Sequence, residues 1–444
     1  MSIKSWVSLL WVALILPVKA YASDSWQGLT ASKYQLLLTG TTPASCAFSD
    51  QGCANNSELA PALRFFVEMA KARQAGEGKP RIGIVTAASP TQSTANLVSL
   101  FEQAGATAIW LPLSGAYQLA SQLEKSGVAA CSQLIEQSKQ PAQQALNVRA
   151  RQTCQNPQNL LADIQSLQGL YIAEGNLLQA VRAFFRPDGS ASAELTLIRR
   201  MVQADRMAVS ASGQSIKLLS GGIQQHPVPM LVSGSTEQAF RRGAFSLPLG
   251  CIDKTTCMAL HEDDLVYLPQ GGLGLFDLGI LDTKLSEQDG QGRLALLSMH
   301  SGTRFGFGLD EQAALLVGWR NQSIDLHVAG QSGVYIIDSA QGIYKLQGGK
   351  RQLVAMSHYL NPGDSATYQL ASQAWQFKLT GHALQMQKSS GIWRTTLDSN
   401  CKANQPLRWQ LGSLALVAMP SEETKFRRAG QTCSYHDLPF GIEN

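Results

Sequence analysis

Apolar residues in the first two thirds of the chain fall into short solid runs separated by longer amphipathic stretches. "YQLLLTG", ending at Gly40, "RIGIVTAAS" (81–89), "ATAIWLPL" (106–113) and "GLYIAEG" (169–175) have no polar face, the pattern of strands buried on both sides. Between them, "SELAPALRFFVEMAKARQ" (57–74) and "STANLVSLFEQAG" (93–105) place apolar residues at helical spacing. Ser57 and Glu58 offer a cap for the first, and Gly105 closes the second. Strands alternating with helices predict an α/β sandwich, a mainly parallel sheet covered on both faces, over roughly residues 30–345.

Two stretches depart from that rhythm. Residues 114–168 are polar and rich in Gln and Ala, and a structureless loop of that length is improbable inside a compact unit. We read a helical insertion there. From about Gly333 the runs shorten to "VYIID", "IYKL", "LVAMSHYL", "AWQFKLTG", "LRWQL" and "LALVAM". These predict a β-rich C-terminal region, taken as 346–444, with no helix longer than a turn.

The first residues, "MSIKSWVSLLWVALILPVKAYAS", have a basic start, an apolar run and a small-x-small end at Ala20-Tyr21-Ala22. This is the pattern of a signal peptide over 1–22, which predicts a periplasmic or secreted chain. The run from Trp6 to Val18 is shorter than the roughly 20 residues a membrane helix needs, and no later run approaches that length. No membrane contact is therefore expected after cleavage. The formal net charge is +4, with no basic run interleaved with aromatics, so nucleic acid is not an expected partner. Eight cysteines fall into neighbouring pairs, Cys46 with Cys53, Cys131 with Cys154, Cys251 with Cys257 and Cys401 with Cys433. In an exported chain these spacings predict four local disulfides. No C-x-x-C is present and no histidine stands at finger spacing, so neither a metal nor any other cofactor is expected.

One stretch has the form a nucleophile needs. "RMAVSASGQSIKLLSGGI" (206–223) is an apolar strand that breaks into small residues around Ser210 before a helical stretch. A serine on a strand-to-helix turn is held at the C-terminal edge of the sheet, where backbone N–H groups can stabilise an oxyanion. Open parallel sheets bind ligands at that edge. The plain alternative is a polar residue in an ordinary turn.

Three further segments sharpen the choice: "QGLYIAEGNLLQAVRAFF" (168–185), "GGLGLFDLGILDTKLSEQDGQGRLALLSMH" (271–300) and "FGFGLDEQAALLVGW" (305–319). With the serine stretch, their order and separation resemble the cyanophycinase and peptidase E family of serine peptidases, closest to the cyanophycinase branch, over roughly 34–368. The resemblance implies a flavodoxin-like sandwich of the class I glutamine amidotransferase kind. It implies a serine-type exopeptidase acting on aspartyl or isoaspartyl bonds of a peptide or amino-acid polymer. It places Ser210 at the nucleophile, Gly175, Asn176 and the N–H of Ala211 at the oxyanion and substrate positions, and Glu311, with Asp310 beside it, at the acidic partner.

The chain departs from that family where chemistry is decided. Lys284 stands at the family's histidine, Ser212 at a glycine two residues after the nucleophile, and Glu174 at the first glycine of the preceding turn. A serine needs a base. Lys284 serves only if burial lowers its pKa; charged, it is a solvated cation in a vacated place. The simpler alternative for Glu311 is capping, or pairing with Arg304 or Arg320, and for His300, the histidine nearest in sequence, a surface or packed place. Two functions stay open: an exported cyanophycinase-like hydrolase with impaired catalysis, and a non-catalytic peptide-binding relative.

Overall fold

A computed structural model of the chain describes residues 24–41, 59–87, 92–133, 141–222, 227–248, 250–251, 253–381 and 391–444. The stretch read as a signal peptide, the expected Ser57–Glu58 cap and the expected Cys46–Cys53 pairing lie outside the described residues.

Five strands form a parallel core: β1 (Leu36–Thr39), β2 (Arg81–Val85), β3 (Thr107–Trp110), β4 (Gly169–Ile172) and β5 (Ala208–Ser212), in the order β1-β5-β4-β2-β3. The helices between them are α1 (Leu59–Lys71), α2 (Gln92–Gln103), α3 (Gly115–Lys125), α4 (Pro141–Gln155), α5 (Pro157–Gln165), α6 (Leu177–Phe184) and α7 (Ala193–Gln203). On one face α1 and α2 bury Phe66 and Phe101 against Tyr171. On the other, α5, α6 and α7 bury Leu160, Phe184 and Ile198 against Leu36, Leu170 and Val209. The solid apolar runs of the sequence are thus the strands covered twice, and the fold is a flavodoxin-like three-layer α/β sandwich.

A small sheet follows, of β6 (Met230–Ser233), β7 (Ala244–Ser246) and β8 (Leu265–Leu268), with α8 (Thr236–Arg242) and α9 (Lys254–Met258). Next come β9 (Gly279–Thr283), α10 (Gln291–Ser301) and β10 (Phe305–Leu309). The remainder is β11 (Ala313–Trp319), β12 (Ser323–Gly330), β13 (Val334–Gln347), β14 (Lys350–Leu360), β15 (Ser365–Gln369), β16 (Ala374–Lys378), α11 (Ile392–Ser399), β17 (Leu407–Leu411), β18 (Leu414–Ala418), β19 (Lys425–Ala429) and β20 (Thr432–Glu443).

These strands are shared between two large sheets. The parallel core is extended antiparallel past β1 by β11, β12, β15 and β16. The second sheet runs β17-β18-β20-β14-β13-β10-β9, with β19 beside β20. Strands of the C-terminal region therefore complete the first sheet, while β9 and β10 of the α/β part enter the second, and residue 345 lies inside β13. The two sheets meet through aromatic side chains. Trp375 of β16 packs on Phe305 and Phe307 of β10, and Phe377, two residues on, stacks on His358 of β14 and His436 of β20.

The C-terminal region also contains a helix that the sequence reading did not expect. The first backbone N–H groups of α11, those of Ile392 and Trp393, donate to the carboxylate of Asp289, a hundred residues earlier in the chain. Its N-terminus is capped from a distant loop, so no local start signal was needed. Trp393, Arg394 and Leu397 make its buried side. Disulfides join Cys131 to Cys154, Cys251 to Cys257 and Cys401 to Cys433. Among the described residues no helix is long and apolar enough to cross a membrane.

Candidate functional site

The strand-to-helix turn after β5 falls at Gly213, not at Ser210. β5 stays in register with β1 and β4 to its end, Thr39 lying beside Ser212 and Ile172 beside Ala211. A 3₁₀ turn, Gly213–Leu219, follows directly. Gly213 has φ +52°, the left-handed conformation that such a sharp turn demands and that glycine adopts most readily. Ser210 lies three residues earlier, roughly 10 Å back along an extended strand. It sits between Leu37 and Tyr171 and is 3% exposed. Ala211, flanked by Leu38 and Ile172, is likewise a residue of the central strand.

The elbow holds a carboxylate instead of a hydroxyl. A Cβ built on Gly213 would lie 2.1–2.3 Å from the carboxylate atoms of Glu174. Glu174 Oε1 accepts a 3.3 Å hydrogen bond from the backbone N–H of Gln214. Its carboxylate thus occupies the space that a side chain at the elbow would take, and it binds a donor that an oxyanion would want. Glu174 opens the turn after β4, in which Gly175 is followed by Asn176. The Asn176 side chain is already committed, its Oδ1 accepting from Gln179 N at 3.1 Å to cap α6. The hydroxyls nearest in sequence are also engaged: Ser212 with the Tyr171 phenol at 2.9 Å, and Ser215 donating to the Ala173 carbonyl at 2.7 Å.

Lys284 and Glu311 come to the same edge of the sheet from the other side. Gly40, which follows β1, accepts a hydrogen bond from the Thr283 hydroxyl at 3.2 Å, and a Cβ on it would strike the carbonyls of Asp310 and Glu311. The turns carrying Lys284 and Glu311 therefore lie beside the strand that neighbours β5. Lys284 has φ +54°, unusual for a residue with a side chain, and its Nζ is 3.2 Å from Glu311 Oε1. Its side chain is 34% exposed, so the amine is neither dry nor free of a carboxylate, the two conditions a lysine base requires. Beneath the pair, Asp310 is wholly buried, accepting from the Ser286 N–H and the Tyr359 hydroxyl. Burial, helped by the charge of Glu287, pushes its pKa up to about 7. Glu287 accepts from the Glu311 N–H and is itself raised, first by burial. Arg304 pairs with Asp338 and Arg320 with Asp325, so neither takes Glu311. His300 bonds the Tyr267 hydroxyl.

A buried ion cluster braces this edge. Asp282, at the end of β9, meets Lys217 of the 3₁₀ turn at 3.2 Å and Arg293 of α10 at 2.7 Å. All three are at most 4% exposed. Burial alone would raise Asp282, but Arg293 and Lys217 outweigh it and hold the carboxyl below its usual range. Burial lowers Lys217. The cluster ties the helix of the elbow to the strand leading into Lys284. Among the described residues no group of His, Cys, Asp or Glu is arranged to hold a metal.

The structure thus brings Glu174, Gly213, Lys284 and Glu311 to one sheet edge and leaves Ser210 inside the strand. The signal that marks the elbow in the sequence is the lone glycine of "SASGQS", the residue best able to make the turn.

No family model matches the chain. Solved structures similar to it include two peptidases. A peptidase from an acI-B1 Actinobacterium aligns with a TM-score of 0.39 and 12% identity over 68% of this chain and 89% of its own. A candidate peptidase E protein from Listeria monocytogenes EGD-e aligns with a TM-score of 0.32 and 8% identity over 67% of this chain and 98% of its own.

Proposed function

We propose that this chain is an exported, non-hydrolytic protein of peptidase-like fold that binds peptide without cleaving it. The observation that carries the reading is the Glu174 carboxylate seated against Gly213. A nucleophile has no side chain to stand on at that turn, and a developing oxyanion would meet a negative charge. The Lys284–Glu311 pair supports it, because an ammonium held by a carboxylate cannot accept a serine proton. Three disulfides fit an oxidising compartment, periplasmic or extracellular.

Purified protein is treated with a serine-reactive fluorophosphonate and assayed on aspartyl and isoaspartyl dipeptides. We expect no labelling and no turnover, and Lys284→His alone restores neither. Labelling at Ser210, or turnover abolished by Ser210→Ala, would overturn the proposal and favour a cyanophycinase-like serine exopeptidase.

A further inference from the structure

The second sheet turns one face to the core and the other outward. Leu416, Ile442 and Leu353, neighbours across β18, β20 and β14, are buried in the core. The residues between them point away from it, since side chains alternate along a strand. On that outer face the ladder sets Arg408 of β17, Val417 of β18, Gly441 of β20 and Val354 of β14 in one row. Two residues along, Ala415 stands beside Glu443. The solvated face of an antiparallel sheet is ordinarily polar, and the centre of this one is not.

A cavity of about 470 Å³ opens there, lined by the residues of both rows. Gly441 and Ala415 leave the hollow, and Val354 and Val417 flank Gly441. A Cβ on Gly441 would come within 3.1 Å of Val417. The two charges in the lining are of opposite sign. Arg408 is exposed and has no ion pair or side-chain hydrogen bond among the described residues. Glu443, also exposed, accepts a hydrogen bond from Gln352 Nε2 at 3.2 Å through one oxygen, and a carboxylate has room for more. Arg408 and Glu443 stand two strands and two residues apart, which separates their Cα atoms by about 12 Å.

Such a hollow fits a molecule with an apolar middle, a cation at one end and an anion at the other. An extended tripeptide with free ends holds its ammonium and carboxylate about 10 Å apart, close to the span between the two charged residues. We propose that this groove binds a short zwitterionic peptide of about three residues, with its ammonium at Glu443, its carboxylate at Arg408 and an apolar middle side chain over Gly441. The apolar floor excludes water, and the two charge-assisted contacts fix length and direction. The ligand class rests on the peptide-binding reading above; the place does not, because none of these residues belongs to the elbow. Turnover of aspartyl dipeptides would overturn the non-hydrolytic reading and leave this groove as it stands.

The test titrates the full mature chain calorimetrically with Ala-Val-Ala, with its N-acetyl form and with its C-terminal amide. The free tripeptide should bind, and each block should weaken it about 10-fold, the loss of one contact to a charged group. Arg408→Gln, at an exposed position, should weaken the free tripeptide by the same factor and leave the amide unaffected, because the amide has already lost that contact. Glu443→Gln should do the same for the free tripeptide and leave the N-acetyl form unaffected. Gly441→Leu, which fills the groove, should weaken all three. No binding of the free tripeptide at millimolar concentration, or binding indifferent to both blocks, would overturn the proposal. Binding that Arg408→Gln and Glu443→Gln leave unchanged would place the peptide elsewhere and overturn this site alone.

Discussion

Gly213→Ala tests whether the elbow is closed from within. The new methyl has two costs. An alanine held at φ +52° loses about 1–2 kcal/mol relative to the right-handed region. Its Cβ also falls 2.1–2.3 Å from the Glu174 carboxylate, which must swing away and give up its bond to Gln214 N. That bond is long and partly open to solvent, so its loss is about 1 kcal/mol. The substitution should therefore destabilise by about 2–3 kcal/mol in urea unfolding. Glu174→Gly removes the obstacle, so the double variant should fall short of the sum of the singles by about 1 kcal/mol, the overlap being counted once. Additive singles, or a Gly213→Ala cost below about 0.5 kcal/mol, would refute the claim that Glu174 fills the elbow.

Other consequences can be measured in the same way. Asp310, with a pKa near 7 in the fold, binds a proton there that the unfolded chain has released, so its contribution to stability falls as pH rises from about 4 to 7 and is constant above. Asp310→Asn should flatten that limb of a stability–pH profile. His358 acts at the acid side: burial lowers it to about 4, so stability is lost as pH falls from about 6.5 to 4, on the order of 3 kcal/mol in all. His358→Phe should remove that loss in acid titrations of unfolding. Asp282→Ala strands Lys217 and Arg293 in the interior and should cost about 3–5 kcal/mol in denaturant, whereas Glu311→Gln at the half-exposed pair should cost no more than about 1 kcal/mol. Replacing Cys401 and Cys433 with serine opens a loop of 32 residues and should lower stability by about 3–4 kcal/mol, read as a fall in melting temperature.

What was legible in the sequence was what depends on local pattern. The apolar runs that supply β2 (Arg81–Val85) and β4 (Gly169–Ile172) became central strands because their own residues demand burial on both faces, and the C-terminal alternation became antiparallel strands for the complementary reason. The elbow was harder to place. Within "AVSASGQS" every residue from Ala211 to Gly213 is small and fits a strand or a turn equally well. The end of β5 is set by how far β1 and β4 run beside it, through Thr39 and Ile172, and that register is a property of the assembled sheet. Helix α11 was missed on similar grounds, since its cap is the carboxylate of Asp289. Lys284 and Glu174 stood out in the sequence as charged residues in unusual places. That Lys284 meets Glu311, and that Glu174 lies over Gly213, depends on turns that only the folded chain brings together.

The interleaving of the two sheets has a kinetic consequence. β1 pairs with β11, so Leu36 must find Val317, and the second sheet keeps β20 in its middle, between β14 and β18. Pairings this distant close large loops before they return any contact energy, which makes assembly slow. Neither sheet can be finished from the N-terminal half of the chain alone. A nascent or threaded chain would hold the parallel core with its β1 edge bare until the last third arrived. For a protein read as exported, this favours crossing the membrane first and acquiring shape afterwards, and it makes the span between those events the period of greatest exposure to aggregation and proteolysis.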